Sequence, residues 1–158
     1  MATTVRVEVK GLRELGERLK ALGLDFKQNS KIARAATNAG AQVIKKLAIK
    51  NAKAINRNNE PDTDGEFLAD NIVVGRRKRI GRLTSQHAVT LRHKGAIKHK
   101  RASGDNPYQV GVLNEFGTVK MSAVPFMRPA FEQGKNAAQE KIVAVLRKRI
   151  EKAEKAVR

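Results

Sequence analysis

The sequence predicts an α+β domain in which a long N-terminal helix and a C-terminal helix pack on a mostly antiparallel sheet. Three observations lead to this prediction. The chain opens with an alternating strand pattern, its longest apolar repeats have helical spacing, and short alternating runs lie between the two longest helical segments. The predicted element order is strand, helices, several strands and a final helix.

The N-terminal elements follow from two different periodicities. Residues 5–10 alternate valine with charged residues, which predicts a half-buried strand, and leucines recur at helical spacing over residues 12–22. Residues 30–55 form the longest helical candidate, with Ser30 as its N-cap. The predicted apolar side of this helix comprises Ile32, Ala36, Ala39, Val43, Leu47 and Ala54.

The middle of the chain predicts a polar loop, a short turn and strands. Residues 56–64 are polar and form a loop, and Thr63 is expected to cap a turn that carries Phe67 and Leu68 inward. Strands are predicted from Ile72 to Val74 and from His87 to Leu91. A third alternating run, Tyr108, Val110 and Val112, predicts another strand, and an amphipathic helix with a basic C-terminal end closes the chain.

Length and composition indicate one soluble domain over residues 1–158, with a mobile basic hairpin or loop region around residues 75–106. The chain has no cysteine, so it can form neither a disulfide nor a thiolate metal site. No stretch approaches the roughly 20 apolar residues that cross a bilayer, so no membrane association is expected. The N-terminus does not have the pattern of a signal peptide.

Positive charge is concentrated in one part of the chain. The net charge is +18, and residues 71–104 carry ten basic residues and no acid. Such a block favours contact with DNA phosphates or with an acidic partner, and the alternative is a solvated hairpin that maintains solubility. The block contains no aromatic residue or base-reading motif, so any DNA contact would be independent of sequence. The candidate contact residues are Arg76, Arg77, Lys78, Arg79, Arg82, Arg92, Lys94, Lys98, Lys100 and Arg101.

Catalytic and metal-binding signatures are not apparent in the sequence. The side chains considered as metal ligands are His87, His93 and His99, and Asp62, Asp64, Glu66 and Asp70. The histidine spacing fits no zinc pattern and lies among basic residues, and the acidic group lacks the spacing of a calcium loop. We therefore expect no metal, no cofactor and no enzyme activity.

A short C-terminal cassette combines aromatic rings with conformational stops. It consists of residues 114–118 (NEFGT), a spacer of small residues, and residues 125–131 (PFMRPAF). Gly117 favours a backbone turn, while Pro125 and Pro129 disfavour helix in the residue before each of them. The cassette is expected to brace the start of the last helix.

Two roles are open for the charged and aromatic residues of the cassette. Glu115 is expected to pair with Arg128 of the same chain, the alternative being contact with a neighbouring subunit. Phe116, Phe126 and Phe131 are expected to anchor either the core or a subunit interface, since each ring can bury roughly 150–250 Å².

The ordered motifs resemble the tail-completion, or neck, protein family of long-tailed bacteriophages. The resemblance rests on residues 115–118 (EFGT) and 125–131 (PFMRPAF), on residues 11–15 (GLREL) behind the opening strand, and on residues 63–72 (TDGEFLADNI). Family members usually read Thr-Gly-x-Leu in the last of these motifs, and here an Asp intervenes. The family-motif residues assigned to packing or a subunit interface are Glu115, Phe116, Gly117, Thr118, Pro125, Phe126, Arg128, Pro129 and Phe131.

The resemblance implies a structural virion protein at the head–tail junction that forms a ring completing the tail while DNA passes through. It implies a homo-oligomer, six-fold or twelve-fold, assembled in the host bacterial cytoplasm and located in the tail or neck of the virion. Its partners would be head-completion or adaptor, tail-terminator and tail-tube proteins, with non-specific contact to packaged double-stranded DNA. The charge alone suggests an alternative, a nucleoid-type protein that binds duplex DNA tightly and with steep salt dependence.

Overall fold

The computed structural model describes residues 5–7, 17, 26–55, 64–77, 85–93, 97–98 and 104–157. The described elements are β1 (Val5–Val7), α1 (Phe26–Lys53), α2 (Asp64–Asn71), β2 (Ile72–Arg76), β3 (His87–Leu91), α3 (Pro107–Phe116) and α4 (Met127–Val157). The predicted α+β class is confirmed, with long helices near both ends of the chain and an antiparallel sheet. Within these described ranges, no helix is long and apolar enough to cross a membrane.

The sheet has three described strands in the order β1-β3-β2, and both pairings are antiparallel. Val5 lies opposite Val89, Ile72 opposite Leu91, and Arg76 opposite His87. The strand predictions at residues 5, 72 and 87 are confirmed. Their valine and isoleucine residues suit a pleated surface that is covered on one side by α1.

Helices α1 and α4 form the main helix pair and run antiparallel. Gly40 faces Ile142, Gly134 faces Leu47, and Asn51 donates a hydrogen bond to the carbonyl of Phe126. Later residues of α1 therefore contact earlier residues of α4. A Cβ at Gly40 would lie 2.6 Å from Ile142, and one at Gly134 would lie 2.6 Å from Leu47. The two glycines therefore allow the helix axes to approach closely.

The long N-terminal helix differs from its prediction at its start and along its buried side. It begins at Phe26 rather than at Ser30, because no Gly or Pro in residues 26–29 interrupts the helical backbone. Ala54 is exposed beyond the helix end, whereas Ala39, Val43 and Leu47 are only partly buried. The buried side chains of this segment are Ile32, Ala36, Thr37, Ala41, Ile44, Ala48, Ala52 and Ile55.

The hydrophobic core lies between α1, the sheet and the start of α4. Phe67 and Leu68 are buried as predicted, on the two-turn helix α2. The proposed cap Thr63 and residues 56–63 of the predicted loop lie outside the described residues, whereas Asp64, its predicted last residue, belongs to α2. The helix predicted for residues 12–22 also lies outside them, except for Glu17, which is helical.

The strand predicted at Tyr108, Val110 and Val112 is wrong, because this segment forms helix α3. Asn106 caps the helix by accepting a 2.9 Å hydrogen bond from the backbone N–H of Tyr108. Pro107 then occupies the first helical position, where its missing N–H costs nothing. The Asn-Pro pair favours a helix start, and the buried residues of the segment recur at helical spacing. The alternation of three apolar residues fits a strand as well, but it is too short to decide.

Candidate functional site

The two halves of the cassette meet through one buried carboxylate. Glu115, next to the last residue of α3, is fully buried beneath the first turn of α4. Its Oε2 accepts hydrogen bonds from the backbone N–H groups of Phe126 (2.8 Å) and Met127 (2.9 Å), and its Oε1 accepts one from the N–H of Arg128 (3.0 Å). Glu115 therefore caps α4 from a distant position in the sequence.

The start of α4 needs such a cap from elsewhere in the chain. The first backbone N–H groups of a helix have no partner within the helix. Phe126, which precedes α4, has no side-chain acceptor, and the first turn of α4 contains no acid. A carboxylate at this end is also favoured by the helix dipole. This role was not predicted, although the lack of Ser, Thr, Asp or Asn before Met127 was a usable signal.

Arg128 completes the contact on the solvent side. Its Nε donates a 3.0 Å hydrogen bond to Oε1 of Glu115, and Nη2 donates a 2.9 Å bond to the Glu115 carbonyl. The guanidinium carbon lies 5.1 Å from the centre of the Phe116 ring. The intrachain pairing of Glu115 with Arg128 is confirmed.

The expectation that the residue before Pro129 is not helical is wrong, because Arg128 is helical. Pro129 lies in the first turn, where its absent N–H breaks no helical bond, and the Glu115 contacts hold Arg128 in place.

The turn between α3 and α4 is rigidly built. Gly117 has a φ of 73°, as expected for a glycine that ends a helix, and its N–H donates to the carbonyl of Leu113 at 2.8 Å. Thr118 and Met121 exchange two backbone hydrogen bonds. A Cβ at Gly117 would lie 2.7 Å from the carbonyl oxygen of Met121, so only glycine fits there.

Apolar side chains are exposed on this rigid segment. Leu113 is 45% exposed, Phe116 50%, Val119 fully and Val124 37%, and these four residues are called the apolar corner below. The three predicted anchors have different surroundings. Phe126 is buried in the core, and the half-buried Phe131 packs against that core. Phe116 is half exposed to solvent. Pro125 is exposed beside the corner.

The structure describes four residues of the predicted basic block. Arg76, Arg77 and Lys98 are exposed, and Arg92 is half-buried. Contact of this block with DNA or with an acidic partner stays a prediction. The other six residues lie outside the described part of the chain: Lys78, Arg79, Arg82, Lys94, Lys100 and Arg101.

The buried Asn71 and the half-buried Asn106 hold parts of the segment between residues 93 and 106. The Asn71 side chain donates to the carbonyl of Lys98 (2.8 Å) and accepts from the N–H of Lys98 (2.9 Å). Asn106 donates to the carbonyl of His93 (2.9 Å), whose ring meets that of Tyr108 edge-on. These anchors were not predicted, since no local pattern links residues 71 and 98. The mobility predicted for the rest of the segment stays a prediction.

A polar cluster lies between α1 and the sheet. Oγ1 of Thr37 lies 2.8 Å from Nδ1 of His87 and 3.1 Å from the Ser85 hydroxyl, and all three side chains are buried. Burial lowers the pKa of His87 below 6.5, and the positive charges of Arg76 and Arg34 lower it further. The sequence suggested His87 only as a metal ligand. Among the described residues, no group of three His, Cys, Asp or Glu is placed to hold a metal.

The exposed part of the cassette has the character of a protein-binding surface. Apolar side chains exposed on a braced turn are typical of a surface that contacts another chain. A family model described as "Bacteriophage HK97-gp10, putative tail-component" matches residues 13–117. The chain therefore belongs to this family of phage tail components, and it is a structural component of the virion tail. The comparisons with curated proteins and with solved structures return no match.

The family match confirms the resemblance drawn from the motifs. It includes the mid-chain motif and ends at Gly117, inside the first half of the cassette. The second half of the cassette and α4 lie beyond the matched residues, but Glu115 joins them physically to the matched part.

Proposed function

We propose that this tail component completes the tail at the head–tail junction by assembling into a closed ring through which DNA passes. The observation that carries the proposal is the apolar corner, held on a turn that the buried Glu115 carboxylate braces. A rigid apolar surface loses little conformational entropy on association, so most of its burial contributes to binding.

The charge distribution supports a second copy of this chain as the partner at the apolar corner. Identical subunits with a charge of +18 repel one another, so a contact between copies is favoured where positive charge is absent. Residues 102–119, which include α3 and three of the four corner residues, contain no Lys or Arg.

The charges also provide complementary segments for contact between copies. Residues 58–75 carry five acids and no basic residue, whereas residues 76–101 carry ten basic residues and no acid. The acidic segment of one copy can pair with the basic segment of another, either reciprocally in a two-fold dimer or in one direction around a ring. A closed ring uses the second, heterologous arrangement.

Electron microscopy of lysates from phage lacking the gene tests the junction. The proposal expects DNA-filled heads and unjoined tails, with joined particles restored by the wild-type chain supplied in trans. Heads without DNA, or an absence of assembled tail tubes, would contradict a role at the junction.

Variants of the apolar corner test the ring. We expect Leu113→Ser with Phe116→Ser to abolish joining and ring formation while the fold is retained in circular dichroism. Val143→Ser is the matched control, because Val143 is as exposed as Phe116 but lies on α4 away from the turn. Light scattering after size exclusion measures the mass of the assembly. An equal loss of joining and ring formation in both variants would contradict the assignment of the apolar corner.

A nucleoid-type protein would instead bind free duplex DNA tightly in a gel-shift salt titration.

A further inference from the structure

Five side chains converge where α1 meets one end of the sheet. They are called the His87 corner: Arg34, Thr37, Arg76, Ser85 and His87. Arg76 lies directly opposite His87 in the antiparallel ladder, so both side chains stand on the same face of the sheet. His87 contacts Thr37 of α1, which identifies that face as the one covered by the helix. Arg34 precedes Thr37 by one turn on the same side of α1.

The hydrogen bonds of Thr37 favour one tautomer of the His87 ring. The Thr37 hydroxyl lies 3.0 Å from the carbonyl of Ala33, which can only accept a hydrogen bond. When Thr37 donates there, its oxygen accepts from the Ser85 hydroxyl and from Nδ1–H of His87, and each group is satisfied. This assignment of the tautomer leaves Nε2 of the neutral imidazole without a proton.

Among the described residues, the two charges that lower the pKa of the imidazole are both positive. Arg76 approaches from β2 and Arg34 from α1, while β1 places Val7 opposite His87. Together with burial they keep His87 neutral at pH 7. An anion between the two guanidinium groups would remove this repulsion and would give a protonated Nε2 a partner.

We propose that the His87 corner binds a phosphate group of duplex DNA, held by Arg34 and Arg76 and, once protonated, by Nε2 of His87. Guanidinium groups pair with phosphate oxygens through directed, charge-assisted hydrogen bonds. The contact carries no base information and is therefore independent of DNA sequence. Arg34 and His87 extend the contact surface beyond the basic block, and the proposal does not depend on the ring.

Binding at this corner takes up a proton. The bound phosphate raises the pKa of His87 relative to the free protein, so duplex DNA binds more tightly below the pKa of the bound state. The extra affinity is lost as the pH rises through that value. We expect several-fold tighter binding at pH 5.5 than at pH 7.5 at constant salt, and a His87→Gln variant should flatten this difference.

NMR titration of the His87 ring in the full-length chain tests the proposal. The pKa is measured with and without a 20-base-pair duplex of arbitrary sequence, in the wild type and in Arg34→Gln, Arg76→Gln and Arg77→Gln variants. Arg77 is the matched control, since it continues the same ladder one residue on and its side chain stands on the opposite face. We expect the duplex to raise the pKa of His87 in the wild type and in Arg77→Gln, and the other two variants to lose the shift. Arg76→Gln should also reduce the slope of log affinity against log salt by about 1.

Three outcomes would overturn the proposal. The first is a His87 pKa that does not rise with duplex DNA. The second is an equal loss of the shift in Arg76→Gln and Arg77→Gln, which would indicate a general field rather than a site. The third is a shift produced by a polyglutamate peptide but not by duplex DNA, which would assign the corner to an acidic protein.

Discussion

Replacing Glu115 with Gln tests the cap on α4 most directly, because the side chain keeps its shape and loses its charge. The carboxylate accepts three backbone N–H groups and the Arg128 Nε, all at 2.8–3.0 Å. The Gln oxygen can still accept the bonds of Phe126 and Met127. Its NH₂ group then faces two further donors on Arg128, and both lose their acceptor.

The expected loss of stability follows from these contacts. Two lost hydrogen bonds to a charged group, partly buried, predict that Glu115→Gln lowers the free energy of unfolding by about 2–3 kcal/mol. Glu115→Ala also strands the N–H groups of Phe126 and Met127, and its cost is about 3–5 kcal/mol. Arg128→Gln costs only about 0.5–1 kcal/mol, because that side chain is 58% exposed and the three backbone bonds remain.

Urea unfolding followed by far-UV circular dichroism measures these differences, since the protein is rich in helix and has no Trp. For a chain of this size, Glu115→Gln should lower Tm by about 4–12 °C. Glu132→Gln is the control, because Glu132 forms an exposed ion pair with Lys135 on the same helix and should change stability by less than about 0.5 kcal/mol. If Glu115→Gln costs no more than Arg128→Gln or Glu132→Gln, the capping argument is wrong.

Three further predictions concern the core, the anchored segment and pH. Gly65→Ala should lower the free energy of unfolding by about 1–3 kcal/mol, because its Cβ would lie 2.5 Å from a backbone carbonyl oxygen. Gly75→Ala is the control and should be near neutral, since a Cβ there meets open space. Equal effects of the two variants in thermal unfolding would refute this. Asn71→Ala should speed hydrogen exchange at the Lys98 amide, since that N–H loses its acceptor, and unchanged exchange would contradict the anchor. Folding lowers the pKa of His87, so the unfolded chain takes up a proton at a higher pH than the folded chain does. The free energy of unfolding should therefore keep its full His87 contribution above pH 6.5 and fall below that pH by at most about 1.4 kcal/mol per pH unit. Denaturant midpoints should fall less on acidification in His87→Gln than in the wild type.

The strands and the turn could be read from the sequence because short-range patterns specify them. Alternation predicted β1 and β3, the apolar run at residues 72–74 was predicted as the start of β2, and Gly117 marked a turn that the structure confirms. The same reasoning failed for α3, where three alternating apolar residues fit a helix as well as a strand. The Asn106-Pro107 start signal would have favoured the helix.

The candidate site was predicted as a set of residues but not as an arrangement. The cassette and the Glu115–Arg128 pair were identified, whereas the capping of α4 by Glu115 was not. The His87 corner was missed, because Thr37 and His87 are 50 residues apart and neither belongs to a recognisable motif. Most of the basic block lies outside the described residues, so its role rests on charge.

The sequence by itself determined the α+β class, the two long helices, the concentration of positive charge and the family to which the chain belongs. Each of these depends on periodicity, composition or local motifs, which are properties of neighbouring residues. Only the tertiary structure decided which polar groups meet: Glu115 with the start of α4, Asn71 with Lys98, and His87 with Thr37. The physical reason is that a buried polar group must find a partner wherever packing brings one, and the sequence distance between the two is not constrained.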